Sequence, residues 1–123
     1  NSDAEAYEEL NALWKLDADD PKRISKWDGA LKQAIHVPLR TMELSERVLV
    51  TLQTLVGKTN AMLVSDLLIA AILAEAAARS ARLNVEINLN QMDESDEQNA
   101  LRGKTSKLIA SCKSLCNSIE NDC

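Results

Sequence analysis

One stretch limits what this chain can become. Val64–Met92, VSDLLIAAILAEAAARSARLNVEINLNQM, is a strongly apolar, alanine-rich run with an acid near its start and asparagines near its end. Alanines at 70, 71, 74, 76, 77, 78 and 81 favour a helix and leave little side-chain bulk, so neighbouring helices can approach closely. At about 3.6 residues per turn, Asp66 and Asn84 lie about five whole turns apart and point the same way, close to Ala70, Leu73, Ala77 and Asn88. Glu75, Arg79, Arg82 and Glu86 fall on the opposite side, three or four apart, where acids and bases can pair. That side is the expected solvent face. Asp66, Asn84 and Asn88 are then polar groups on a packed face, each costing on the order of 1–3 kcal/mol if left unpartnered. A ligand is one partner that would satisfy them. Asn84–Leu89 alternates polar and apolar as a strand would, but no Gly or Pro separates it from the alanines, so the helix is expected to continue.

The rest of the chain supplies the helices that pack around this one. Ser2–Leu16 reads as a first helix, with Ser2 and Glu5 in capping-box spacing and Ala6, Leu10 and Leu13 at helical intervals. Asp20-Pro21 is an N-cap followed by proline at the first helical position. A second helix runs from Pro21 to Val56 through Ile24, Trp27, Leu31, Ala34 and Ile35, with a kink or break expected near Val37 because Pro38 lacks an amide donor. Gly57 is placed to end it in a left-handed cap, and residues 58–62 form the turn. Ser65 or Asn60 is the candidate cap of the third helix. Ser95 and Gln98 offer a second capping box for a final helix over 96–120. The expectation is one all-α domain over residues 1–123, an up-and-down bundle of four main helices with the second kinked at Pro38.

Composition narrows the function. A formal charge of -5 with no Lys/Arg cluster argues against nucleic acid. The longest uninterrupted apolar run, Leu67–Ala74, is far short of the roughly 20 residues that span a bilayer, so no membrane partner is expected. With no signal-like segment at the start, the default compartment is the cytoplasm. Cys112, Cys116 and Cys123 crowd the end of the chain and His36 is its one histidine. That set lacks the ligands of a zinc site, so reduced structural thiols and no metal are expected.

The block SDLLIAAILAEAAARSARLNVEINL, preceded by AIHVPL and by DAEAYEEL near the start, resembles the cyclodeaminase domain of formimidoyltransferase-cyclodeaminases and the related bacterial methenyltetrahydrofolate cyclohydrolases. The resemblance covers about residues 3–92, most specifically at Ser65-Asp66, the alanine block, Asn84-Val85 and Asn88-Leu89; the helix over 96–120 is generic. It implies a helical bundle that assembles as a homodimer or larger homo-oligomer. Its substrate would be a tetrahydrofolate derivative, with no separate cofactor. The implied reaction closes a formimidoyl group onto the second folate nitrogen with loss of ammonia; a sister activity hydrolyses the methenyl product. Members of the family open on a glycine-rich segment of the form PGGGSVAAL, and nothing like it occurs in residues 1–123. A separate N-terminal segment is therefore among the partners the resemblance allows, and a non-catalytic helical oligomer that has lost the folate pocket is the alternative to an enzyme.

Each candidate residue has a chemical and a plainer reading. Asp66 is the candidate catalytic group, since cyclisation needs a proton taken from the attacking nitrogen and one delivered to the leaving amine. The plainer reading is a carboxylate favoured by the helix dipole. Asn84 and Asn88 are candidate substrate ligands, because side-chain amides match the donor and acceptor edge of a pterin; otherwise they fix helix register. His36 is a further candidate at the substrate, or a structural residue before the kink. Arg79 and Arg82 could meet a folate glutamate tail, but their spacing to Glu75 and Glu86 favours a solvated ion-pair stripe. Trp14 and Trp27 are core or interface anchors.

Overall fold

A computed structural model describes the chain from residue 2 to residue 123, with side chains from residue 4 onward. Four α-helices follow one another: α1 (Ser2–Trp14), α2 (Pro21–Leu55), α3 (Val64–Leu89) and α4 (Asp96–Asp122), with a 3-10 turn, Ala61–Leu63, leading into α3. No strand occurs among the described residues, and Asn84–Leu89 is helical. The capping box expected of Ser2 and Glu5 lies outside the described side chains.

The local signals that start and stop the helices act as their chemistry dictates. Asp20 accepts from the Lys22 amide at 2.9 Å with Pro21 at the first helical position. Gly57 adopts φ 77°, in the left-handed region that a glycine enters without a Cβ clash. Asn60 accepts from the Met62 amide and caps the 3-10 turn, whereas Ser65 lies inside α3 and caps nothing. Ser95 accepts from the Gln98 amide, but Gln98 does not reach back to close the box. Its buried side chain instead donates to the carbonyls of Leu89, at 2.8 Å, and Met92, at 3.3 Å, so that α4 caps the end of α3.

Of the kink or break allowed near Val37, the break does not occur: α2 is a single helix through Pro38. Proline removes the amide that would bond the Ala34 carbonyl and crowds that carbonyl with its ring. The neighbouring helix supplies a substitute, because Asn88 Nδ2 donates to Ala34 O at 3.2 Å. A tertiary hydrogen bond thus stands in for the lost helical one.

The core has two adjoining regions. Leu31, Ile35, Leu39 and Met42 of α2 meet Ala81, Val85 and Leu89 of α3 and Leu108 of α4. Further along, Leu49 meets Ala71 and Ala78 across from Cys112, Cys116 and Ile119. This pairing makes α3 antiparallel to both α2 and α4. At the α1–α2 turn Arg23 donates to the Leu16 carbonyl at 2.8 Å, and its guanidinium lies 4.8 Å from the Trp27 ring and 5.7 Å from that of Trp14. The backbone of α1 closes on α2 but stands off from α3, and that separation positions the site below.

The faces of α3 are not those expected. Leu67, Ala71, Ala78, Ala81, Val85 and Leu89 are the buried positions. The stripe expected to face solvent lies beside α4: Glu75, Arg82 and Glu86 are half-buried, and the charge of Glu75 is felt by the thiols of Cys112 and Cys116. Arg79 is exposed and the Arg82–Glu86 pair is partly solvated, as expected, but Ile69, Ile72, Leu73, Leu83 and Ile87 are exposed as well. This apolar surface also corrects the reading from run length alone. Together with its leading turn, Ala61–Leu89 is long enough to cross a membrane and holds an 18-residue stretch of mean hydropathy 2.0, apolar enough by composition to do so. Charges at Glu75, Arg79, Arg82 and Glu86 recur through its second half.

Candidate functional site

The gap between α1 and the C-terminal half of α3 forms a groove in two joined parts. The first, of about 430 Å³, is lined by Ala4, Ala6, Tyr7, Leu10, Ala34, Asn84, Ile87 and Asn88. The second, of about 320 Å³, shares Tyr7, Leu10, Ile87 and Asn88 and adds Asn11, Trp14 and Gln91. The groove exists because short residues of α1 rest on α2 while Tyr7 and Leu10 reach toward α3 without bringing the backbones together.

Its chemistry is mixed. Tyr7, Leu10, Trp14 and Ile87 provide flat or branched apolar walls, and amides from Asn11, Asn84, Asn88 and Gln91 project among them. One Asn88 N–H is committed to the Ala34 carbonyl, which orients the side chain and turns its Oδ1 acceptor away from that bond. Asn84 is exposed and has no side-chain hydrogen bond among the described residues. Apolar walls with a few convergent amides suit a flat heterocycle whose edge both donates and accepts.

The four residues singled out from the sequence fall in three places. Asn84 and Asn88 share the groove. Asp66 occupies the exposed first turn of α3, eighteen residues from Asn84. On one helix that is about 27 Å, so the two cannot meet a single reacting centre within one chain. His36 is exposed on α2, beside a separate hollow of about 380 Å³ that includes Lys32, Glu97 and Leu101. Lys32 there bonds Asp28 at 3.0 Å and Glu97 at 3.3 Å, contacts that raise its pKa. The groove residues Tyr7, Asn11 and Gln91 escaped the sequence reading. The available signal was their spacing: Asn11 stands one turn beyond Tyr7, and Gln91 nearly one turn beyond Asn88.

Arg79 is exposed and Arg82 approaches Glu86 at 3.6 Å along the α4 side of α3, away from the groove. Trp14 and Trp27 pack tilted against each other, ring centroids 5.5 Å apart. The three thiols are free, with Cys112 and Cys116 buried and Cys123 exposed. Among the described residues, no three of His, Cys, Asp or Glu gather closely enough to hold a metal ion.

The fold and groove define an all-helical bundle with an amide-lined cleft beside its longest apolar helix. Residues 1–107 match the family model described as formiminotransferase-cyclodeaminase, and the chain belongs to that family. It is similar to a methenyltetrahydrofolate cyclohydrolase of Methylorubrum extorquens, 31% identical over 96 residues, or 75% of this chain and 46% of the relative. The chain thus spans a little under half the length of that relative. The crystal structure of a formiminotetrahydrofolate cyclodeaminase from Thermotoga maritima superimposes with a TM-score of 0.87 at 23% identity, covering 98% of this chain and 58% of the other. That likeness concerns the fold.

Proposed function

We propose that this chain is the folate-binding part of a formimidoyltetrahydrofolate cyclodeaminase, acting in one-carbon metabolism. The observation that carries the reading is the pair Asn84 and Asn88 in an apolar groove on the helix that bears the family's most specific residues. In this reading the pterin ring lies between Tyr7 and Ile87, with its donor and acceptor edge toward the two amides. The folate is the substrate, and no other cofactor is assigned.

In the reaction the second folate nitrogen attacks the carbon of the formimidoyl group, whose imino nitrogen is protonated, and forms a new C–N bond. That nitrogen gives up its proton, the former imino nitrogen gains one, and the C–N bond to the departing ammonia breaks to leave the methenyl cation. A carboxylate that takes the first proton can deliver the second, and Asp66 is the group assigned to this transfer. The methenyltetrahydrofolate cyclohydrolase reaction, carried in the name of the Methylorubrum relative, acts on the product of the same cyclisation and is the second reading.

Titration calorimetry with folinic acid, alongside ammonia release from formimidoyltetrahydrofolate, tests the proposal. Asn84→Ala is expected to weaken folinic acid binding by about tenfold, the equivalent of one lost hydrogen bond. Asp66→Asn is expected to abolish turnover with helix content unchanged. Failure of the wild-type chain to bind folinic acid overturns the reading, and full activity in Asp66→Asn removes that residue from the chemistry.

A further inference from the structure

The exposed face of α3 is written almost as a palindrome. Ile69, Leu73, Ala76, Ser80, Leu83 and Ile87 follow one another at intervals of four, three, four, three and four, so they form one straight seam. The seam lies diametrically opposite the buried Ala71, Ala78 and Val85. Its four large residues are 53%, 64%, 56% and 61% exposed in chain order, an apolar strip that a single copy leaves in water. Read from either end the order is Ile, Leu, small, small, Leu, Ile. A second α3 running antiparallel therefore sets Ile69 against Ile87, Leu73 against Leu83 and Ala76 against Ser80, twice over. Such self-complementarity is what a two-fold interface requires. The small central pair lets the helices approach closely, and the Ser80 hydroxyl is already satisfied by the Ala76 carbonyl at 2.8 Å, so it enters the seam without an unpaired donor.

We propose that two copies pair antiparallel along this seam, and that Asp66 of one copy completes the groove of the other. In this register Asp66 falls level with Asn90 of the second copy. Along the helix axis that is about 3 Å from the level of Asn88 and about 9 Å from that of Asn84. Asp66 and Asn84 share a flank of α3, and a two-fold axis normal to both helices and lying in the interface carries each flank onto the same flank of its partner. The carboxylate and the amides thus meet on one side of the pair. The 27 Å that separates them within a chain is removed between chains. Ile87 links the two features, since it belongs to the seam and to the groove wall. The composite site rests on the folate reading; the pairing does not.

Two experiments on the 123-residue chain separate these. In a Cys123→Ser background, Leu73→Cys with Leu83→Cys should cross-link two copies on mild oxidation, whereas Leu73→Cys with Ile87→Cys, out of register, should not. Leu73→Glu, at an exposed position, should convert the wild-type dimer to a monomer in analytical ultracentrifugation with helix content retained. A wild-type monomer at tens of micromolar, cross-linking in another register, or co-flotation of the monomer with phosphatidylcholine–phosphatidylglycerol vesicles overturns the pairing. For the shared site, Asp66→Asn chains, inactive alone, and Asn84→Ala chains, which at subsaturating substrate keep only about a tenth of wild-type turnover through their tenfold weaker binding, are unfolded together and refolded. Random pairing in a two-fold dimer should restore about one quarter of wild-type turnover, because half the dimers are mixed and each has one intact site. No recovery, with pairing intact and wild type active, overturns the composite site alone.

Discussion

Asn88 donates its side-chain amide to the carbonyl of Ala34, the group that Pro38 deprives of its helical partner. One residue of α3 thereby lets α2 pass through a proline uninterrupted, and it fixes the axial register of α3 against α2. Asn88→Ala should lower unfolding stability by about 1–3 kcal/mol, the usual effect of stranding a buried acceptor. In Pro38→Ala the helical amide returns and Asn88→Ala should then cost well under half as much. A urea-unfolding double-mutant cycle reads the difference; additive effects would mean the two residues are independent.

Gln98 performs the corresponding task between α4 and α3 at the same end of the bundle, donating to Leu89 and Met92 from a buried position. Gln98→Glu keeps the shape but replaces the donor at neutral pH with a carboxylate facing two carbonyls. A loss of roughly 2 kcal/mol in thermal or urea unfolding is expected, larger than for an exposed Gln→Glu change such as at Gln33.

The Gly57 turn admits a simple check. At φ 77° any side chain is strained even though nothing crowds the position, so Gly57→Ala should destabilise by about 1–2 kcal/mol. Gly29 and Gly103, in helices with open space around them, should tolerate alanine or gain up to about 1 kcal/mol by the same measurement.

Burial pushes the thiols of Cys112 and Cys116 up from 9.0 to about 11, with nearby carboxylates adding to the effect. At pH 8 iodoacetamide should label Cys123 alone in the native chain and all three after denaturation. The folded state favours the protonated thiols, so this contribution to stability is complete below pH 9 and is lost as pH rises from about 9 through about 11. Cys112→Ser and Cys116→Ser variants should show a shallower fall in urea stability over that window.

How much could be read beforehand varied with the kind of signal. Asp20-Pro21, Gly57 and Ser95 each carry a local rule that involves no distant residue, and helix order with those three ends was legible. What carries α2 through its proline was not, because the atom that rescues Pro38 comes from a residue fifty positions later. The faces of α3 were misread for a related reason. A helix apolar nearly all round has no single stripe for periodicity to find, and its ionic row was taken for a solvent face. In the fold that row runs beside α4, and the exposed surface is the one with the largest aliphatic side chains. Within the site Asn84 and Asn88 fell together in one groove, whereas Asp66 and His36 fell elsewhere in the chain. Sequence spacing resolves neighbours on one helix well and separations along it only when the rise is counted.

The placement of α1 has a practical consequence. Its backbone rests on α2 alone and its contact with the first core region is made from the edge by the partly buried Leu10, so it can open with little disturbance of the rest of the bundle. Amide exchange in α1 should therefore proceed by local opening, faster than in α2 or α3. Because α1 also forms one wall of the groove, an occupant would slow exchange there first, which makes this helix a built-in reporter: candidate ligands could be ranked by protection of Tyr7–Trp14 without any assay of turnover.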